Sequence, residues 1–298
     1  MMLPDGAIMK IVQSDELFHA TCGGMGLTGI ILNASIKLKK IKSSYINQLS
    51  IRTNNLRQTF DIFESHSKSS YTVAWFDGFS RLDNFGKAIV QVGEFCDDNV
   101  LEYKINKSIP IPFKYLSYLL STYQVKLFNY LYYTLASEKP KLSKISLNEF
   151  FYPLDKFSNW NELYGKDGFL QYQFILPKNK SFEGIQKIFQ IINDYKIYPY
   201  LSVLKLYGEE NKNYLSFPMK GYSLALDFKV NDKILNMLDK LDKIVCDYDG
   251  RVYLTKDARL SKKYFQNTYP KVKNFIKIRN ELDPNKRFRS QQSERLGI

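Results

Sequence analysis

Phe169-Leu170-Gln171-Tyr172-Gln173-Phe174-Ile175-Leu176 puts Gln171 and Gln173 on one side of an extended segment and Tyr172, Phe174 and Leu176 on the other. A period of two with one apolar side marks a strand that buries one face. Downstream, Ser181 is placed to cap a helix that turns Ile185, Ile188, Phe189 and Ile192 inward, and Tyr198–Tyr207 reads as a returning strand. Tyr222, Leu224, Leu226, Phe228 and Val230 alternate as a third strand. Asp232 is placed to cap a helix carrying Ile234, Leu235, Leu238 and Leu241, Gly250 closes its exit, and Arg251–Thr255 reads as a fourth strand. Two β-α-β units in succession predict an α+β fold, a mainly antiparallel sheet with helices packed on one face.

Towards the N-terminus the same rules predict a helix after Thr53 with Leu56, Phe60 and Phe63 inward, then strands over Tyr71–Phe76 and Lys87–Phe95. Cys96 to Pro112 reads as a loop. Tyr115 to Ala136 carries Lys126 as its only charge, but its tyrosines, serines and glutamines suit a membrane span poorly. Two readings fit it. Ile109 to Ala136 is a lipid-facing lid, with Pro110 and Pro112 at its entrance and Lys104, Lys107, Lys114 and Lys126 at its edges; or it is a core helix burying Leu116, Leu120, Tyr123, Leu127 and Leu131. Lys271–Leu282 reads as a last helix, and a polar tail begins at Asp283-Pro284.

A second informative stretch is Ala20-Thr21-Cys22-Gly23-Gly24-Met25-Gly26-Leu27-Thr28-Gly29-Ile30-Ile31. Ser14 is placed to cap a short helix that ends at Gly23-Gly24. Ile30, Leu32, Ala34, Ile36 and Leu38 then alternate with polar residues, which predicts a half-buried strand running to Ile41. Glycines here let the backbone take positive φ and approach a flat or phosphorylated ligand, or simply pack a tight turn on a neighbour. The spacing is neither a dinucleotide G-x-G-x-x-G nor a P-loop.

The 298 residues carry 43 Lys and Arg against 30 Asp and Glu, a net charge of +13. That balance attracts anions such as lipid head groups or a phosphorylated substrate; the lysines are spread thinly, so nucleic-acid binding is not expected. Cys22, Cys96 and Cys246 have no C-x-x-C spacing, and His19 and His66 are the only histidines, so neither a metal site nor a histidine triad is expected. The thiols suggest a reducing, cytoplasm-like setting, and Met1 to Gly6 has no signal-peptide character. Proton chemistry therefore falls to Lys, Tyr, Asp or Glu. Lys256 at a strand exit is a base or anion binder, or else a surface partner of Asp257. Lys205 inside an apolar strand has the same two readings. Gln171 and Gln173 suit the edge of a sugar or flavin, or a solvated face.

Several ordered stretches resemble one family. They are the glycine stretch above, Ala74-Trp75-Phe76-Asp77, Tyr152-Pro153-Leu154-Asp155-Lys156-Phe157, Gly168–Phe174, Leu215-Ser216-Phe217-Pro218, Gly250–Asp257 and Leu282-Asp283-Pro284. With these the chain resembles, essentially end to end, the FAD-linked oxidases of the vanillyl-alcohol-oxidase type, near the D-arabinono-1,4-lactone oxidases and the oxidases of polyprenyl-phosphate-linked pentoses. The resemblance implies FAD as cofactor and oxidation of a secondary alcohol on such a sugar or aldonolactone. It implies Gly23, Gly24, Gly26, Gly29, Ile31 and Tyr253 as cofactor-binding residues. It implies Lys256 and Gln173 as catalytic residues, and Lys205, Trp75, Phe157, Trp160 and Gln171 around the substrate. It implies residues 1–42 as the end of an FAD-binding domain whose first half is expected to be missing, 43–282 as the substrate domain, and 283–298 as a tail packing back on the FAD domain. A truncated or split product that works only with a fragment carrying the missing half is the alternative. A partner reductase and peripheral contact with the inner face of a cell-envelope membrane are also implied. Ser223 and Ala225 stand where the pentose oxidases carry Asn and Cys.

Overall fold

The computed structural model describes residues 1–79, 85–103, 108–110, 121–164, 168–231 and 233–298. The expected cap Asp232, together with Lys104, Lys107, Pro112, Lys114, Leu116 and Leu120 of the expected lid, lies outside them.

The chain folds around one eight-stranded antiparallel sheet of order β10-β7-β9-β8-β2-β3-β1-β5. In the first half β1 (Tyr45–Thr53), α2 (Leu56–Ser65), β2 (Tyr71–Phe76), β3 (Ala88–Phe95), α3 (Thr122–Leu135) and β5 (Lys141–Ser146) follow in sequence. In the second half come β7 (Phe169–Pro177), α5 (Ser181–Tyr195), β8 (Leu201–Tyr207), β9 (Gly221–Lys229), α6 (Ile234–Asp247) and β10 (Arg251–Val252). Each half is a split β-α-β arrangement: its first and second strands run parallel with the third inserted between them, and the fourth pairs outside the first. The halves meet through their second strands, at Ala74↔Leu204 and Trp75↔Val203. The short pieces β4 (Ile109–Pro110) and β6 (Phe157–Ser158) form a separate parallel pair, and α4 (Leu147–Phe151) follows β5.

The period-two patterns resolve as expected, except that β9 ends at Lys229 and leaves Val230 exposed. Tyr172, Phe174, Leu176, Leu204, Tyr222, Leu224, Leu226 and Phe228 are buried beneath α5 and α6, whose Ile185, Ile188, Phe189, Ile192, Leu238 and Leu241 complete the core. Two ladder pairs alone make a weak joint, and aromatic rings close it. Phe60 of α2 stacks on Tyr222 of β9 at 4.0 Å and meets Phe182 of α5 edge-on at 5.7 Å. Phe76 of β2 packs on Phe189 of α5 at 5.3 Å. The Arg57 guanidinium lies 4.0 Å over the Phe182 ring, and the Tyr222 hydroxyl donates to Glu64 at 2.7 Å.

Five expectations change. The strand expected over Ile30–Ile41 is absent: Ile30 bridges Met2, and the residues beyond it join no ladder among the described residues, leaving Ile36 78% and Leu38 83% exposed. Alternation specifies a strand only where an edge is available to satisfy its backbone groups. Arg251–Thr255 pairs only through Val252. Tyr253 still donates to Gln173 O, but Lys256 N then turns back to Tyr253 O, so Leu254–Lys256 is one 3-10 turn and the strand alternation stops. Leu235 faces solvent, not the core. Asp15 occupies the cap position of α1 (Glu16–Thr21) in place of Ser14. Ser181 is already helical, and its hydroxyl donates back to the carbonyls of Leu176 and Pro177.

The core-helix reading of Tyr115 to Ala136 also fails over its described part. α3 buries Val125, Asn129 and Tyr133, whereas Tyr123 is 85% and Leu135 83% exposed, with Leu127 and Leu131 exposed beside them. Several of its inward contacts are polar. Asn129 donates to Asp77 Oδ1 at 3.2 Å, and the Tyr133 hydroxyl donates to Thr53 O and Asn54 Oδ1. Among the described residues, no helix is long and apolar enough to cross a membrane.

Near the N-terminus, Gly24 sits against the Ala20 carbonyl and the Phe275 ring of α8 (Val272–Leu282), where no side chain fits. The tail reaches residues 1–42 through Arg287, which donates to Pro4 O at 2.8 Å. Its final helix α9 (Gln291–Leu296) lies on the turn after β10, where Gln292 donates to Leu254 O and Arg295 pairs with Asp257.

If the aromatic joint couples the halves, Phe60→Ala loses about 3–5 kcal/mol, the range for a core phenylalanine. Urea unfolding followed by far-UV circular dichroism is expected to split into two transitions; a single transition at unchanged midpoint would refute the coupling.

Candidate functional site

The face of the sheet opposite α5 and α6 is open, and the ladder register fixes what lies on it. Gln173 of β7, Ala225 of β9, Val203 of β8 and Trp75 of β2 stand in one row across four strands. Ser223 and Lys205 are opposite one another in the adjacent row, and Gln171 and Asp227 in the row on the other side. Ala225, with only a methyl group, makes a hollow between Gln173 and Val203.

Polar groups are tied across the strands. Gln173 Nε2 donates to Ser223 Oγ at 3.1 Å, and Gln171 Nε2 donates to Asp227 Oδ1 at 2.7 Å. Burial pushes the Tyr207 pKa up, against the opposing influence of Ser223 and Gln173. Aromatic rings form the rim. On one side Tyr164 stacks on Phe169 at 4.5 Å and on Tyr200 at 5.8 Å, while Trp160 leans on Phe169 at 5.8 Å. On another, Tyr253 stacks on Phe217 at 4.5 Å. On a third, Trp75 meets Tyr132 of α3 edge-on at 5.0 Å. The face continues over the first half into concavities of about 440 and 600 Å³ that share Gln48 and Gln91.

Two lysines supply positive charge. Burial of the Lys205 ammonium draws its pKa down, although the side chain as a whole is solvent-exposed. Lys256 is exposed at the end of the 3-10 turn, and its field acts on Asp227. It is not the surface partner of Asp257. That carboxylate is taken by Arg295 at 2.8 Å and by the backbone N–H groups of Arg259 and Leu260.

The structure therefore brings Gln171, Gln173, Lys205, Tyr253, Lys256, Trp75 and Trp160 around one open face. Phe157 lies half-buried in β6, paired with Ile109. The glycine turn is joined to the face indirectly: Gly23, at φ +83°, rests on the Leu215 backbone, and two residues on Phe217 stacks on Tyr253. At Gly26, φ +75°, an added Cβ would meet open space, while Gly29 is enclosed by Met1 and Met2. Ile31 projects into solvent. Sequence reading missed Asp227, Tyr164 and Tyr207, and noted Ser223 only as a departure from the family pattern. Three small or polar residues at alternate positions, Ser223, Ala225 and Asp227, opposite an apolar set on the same strand were the available signal.

Residues 171–296 match the model of the D-arabinono-1,4-lactone oxidase family. The matched stretch is less than half of the chain. It contains β7 through the tail, hence both glutamines, Lys205, Asp227, Tyr253 and Lys256. Over 95% of its length the chain is 32% identical to decaprenylphosphoryl-β-D-ribose oxidase of Mycolicibacterium smegmatis, and it spans 64% of that protein. It is also 23% identical, over 100% of its length and 85% of the relative's, to an uncharacterized protein in the mprA 5' region of Streptomyces coelicolor.

Within this stretch Asp227 has a testable electrostatic signature. Burial raises its pKa from 3.8 to about 6, against the opposing influence of Gln171, Lys256 and Tyr164. The folded state thus holds this proton more tightly than the unfolded chain does. The resulting stabilisation is complete below the unfolded value and is lost as pH rises through about 6. Asp227→Asn is therefore expected to gain on the parent in unfolding free energy from pH 4 to pH 7. A difference that stays constant with pH would show that the buried carboxyl is not perturbed.

Proposed function

We propose that this chain is the substrate-binding part of an FAD-dependent oxidoreductase that oxidises a secondary alcohol of a sugar, of the polyprenyl-phosphate-linked pentose or aldonolactone type. The row Gln173–Ala225–Val203–Trp75 carries the reading, because it sets an amide, a hollow and an aromatic wall beside two ammonium groups. Amides and aromatic rims suit sugar hydroxyls and ring faces, and cations suit a phosphate. The relative's name, an oxidase of a polyprenylphosphoryl ribose, supports the same class of substrate.

The donor set suits a flavin as well. Uncharged amides, a phenol and an ammonium lie on an open face, and the Cβ-free Gly26 faces open space nearby in the fold. Gly23, Gly24, Gly26, Gly29 and Ile31 would follow the dinucleotide, and Tyr253 the ring. FAD, when bound, supplies the acceptor for a hydride. Gln173 orients the sugar hydroxyl, Lys256 stabilises the developing alkoxide while the hydroxyl proton passes to solvent water at the open face, and Lys205 holds the anionic end of the substrate. Trp75 and Trp160 exclude water at the rim, and the concavities over β1 and β3 take the rest of the substrate. In this reading residues 1–42 belong to the FAD-binding part, 43–282 form the substrate domain and 283–298 brace the two. The unpaired stretch after Ile30 takes its ladder partners from polypeptide beyond these 298 residues, on the same chain or on a separate fragment.

The inverted helix α3 supports peripheral membrane contact. It presents tyrosine, leucine and phenylalanine outward around Lys126 and holds to the protein partly by polar contacts, the polarity expected where a bilayer interface replaces solvent.

In the FAD-loaded enzyme, Lys256→Met is expected to lower kcat by about 10²–10⁴ with the flavin spectrum retained, the cost of losing a positioned proton-handling group. Near-normal turnover would reduce Lys256 to a surface residue. Separately, the protein is expected to co-sediment with vesicles containing phosphatidylglycerol and to lose this when Tyr123, Leu127 and Leu131 become Ser. These side chains are exposed, so the fold should survive; a parent protein left in the supernatant would end the membrane reading.

A further inference from the structure

The buried carboxylates other than Asp227 are already committed. Asp77 pairs with Lys87 at 3.2 Å, Asp242 with Arg259, and the Asp257 side chain with Arg295 at 2.8 Å. Asp283 accepts from the backbone N–H groups of Arg287 and Phe288. Asp227 is 2% exposed, yet among the described residues it has no cation within salt-bridge distance. Its oxygens take Gln171 Nε2 at 2.7 Å and the Tyr164 hydroxyl at 3.5 Å, both from the open face. An uncompensated buried carboxylate is costly, and such groups concentrate where they do a job other than holding the fold together.

We infer that Asp227 is the positioning residue of this face, fixing the Gln171 amide with its carbonyl oxygen outward and acting through its charge on the Lys256 ammonium. The inference rests on the functional reading above. Because Asp227 engages the nitrogen of Gln171, the amide oxygen is left to accept from a sugar hydroxyl. Because no cation contacts Asp227 among the described residues, its negative charge is available to Lys256. Burial lifts Asp227 to a pKa of about 6, so this charge switches on across the physiological range. The titratable groups that face it are Tyr164 and Tyr200, both pushed above the ordinary phenol range by burial, and Lys256. A residue that only braced β7 against β9 would leave Lys256 indifferent to pH near 6.

Reductive ¹³C-methylation of the lysines, with the Lys256 signal assigned by its loss in Lys256→Arg, provides a readout that needs neither flavin nor turnover. The parent's Lys256 resonance is expected to show an inflection near the Asp227 pKa of about 6, and Asp227→Asn to remove it. If Asp227→Asn does not fold, Gln171→Met, which deletes the hydrogen bond to the carboxylate, should move the inflection to higher pH. In the FAD-loaded enzyme Asp227→Asn should also lower kcat/KM by roughly tenfold or more, as for a lost charge-assisted hydrogen bond, and flatten the acidic limb of the pH profile. A Lys256 signal with no inflection near pH 6 overturns the inference even if the enzyme is active. An inflection in a protein with no oxidase activity supports the coupling and instead overturns the functional reading.

Discussion

The stack of Phe60 on Tyr222 is the contact on which the rest of this structure depends. Each half of the sheet could form from its own strands and helices, but only two registered pairs join β2 to β8. What makes one sheet of them is the layer of rings behind the joint, Phe60, Phe182, Phe76, Phe189 and Tyr222, arranged at 4.0 to 5.7 Å. Offset and edge-on rings combine large apolar burial with preferred angles, so they fix orientation as well as proximity. The open face inherits that orientation. Trp75 belongs to the first half and Gln173, Lys205 and Asp227 to the second, and they share one face only while the joint holds.

Much of this could be read from the sequence. The alternation in Phe169–Leu176 and Tyr222–Phe228 and the helical spacing of Ile185, Ile188 and Phe189 are local signals, and local signals determine strands, helices and their buried sides. Strand order is not local. Nothing in Ala74 or Leu204 announces that they are partners, and the repeat of one topology in both halves has left no short sequence repeat. The Ile30–Ile41 pattern shows the converse: alternation without an available edge produces extended chain and no strand.

The site divides along the same line. Gln171, Gln173, Lys205 and Lys256 stood out because amides and charges interrupt apolar strands, and the family resemblance added Trp75, Trp160 and Tyr253. Asp227 did not stand out, since its meaning comes from Gln171 across the ladder and Tyr164 from a distant turn. Lys256 was ambiguous for a related reason. Its sequence neighbour Asp257 looked like its partner, and only the three-dimensional placement of Arg295, nearly forty residues on, shows that carboxylate to be occupied.

The two outer strands of the sheet are closed to further pairing by different means. β5 carries Lys141 and Lys144 along the rim, and charged side chains on an edge discourage the addition of another strand. β10 is two residues long, and the acceptors just beside it are taken: Tyr269 donates to Val252 O and Gln292 to Leu254 O, both at 2.7 Å. Growth of the sheet by edge-to-edge association is thereby disfavoured at both ends. What the sheet leaves accessible is its broad side, where side chains stand free of the backbone ladder.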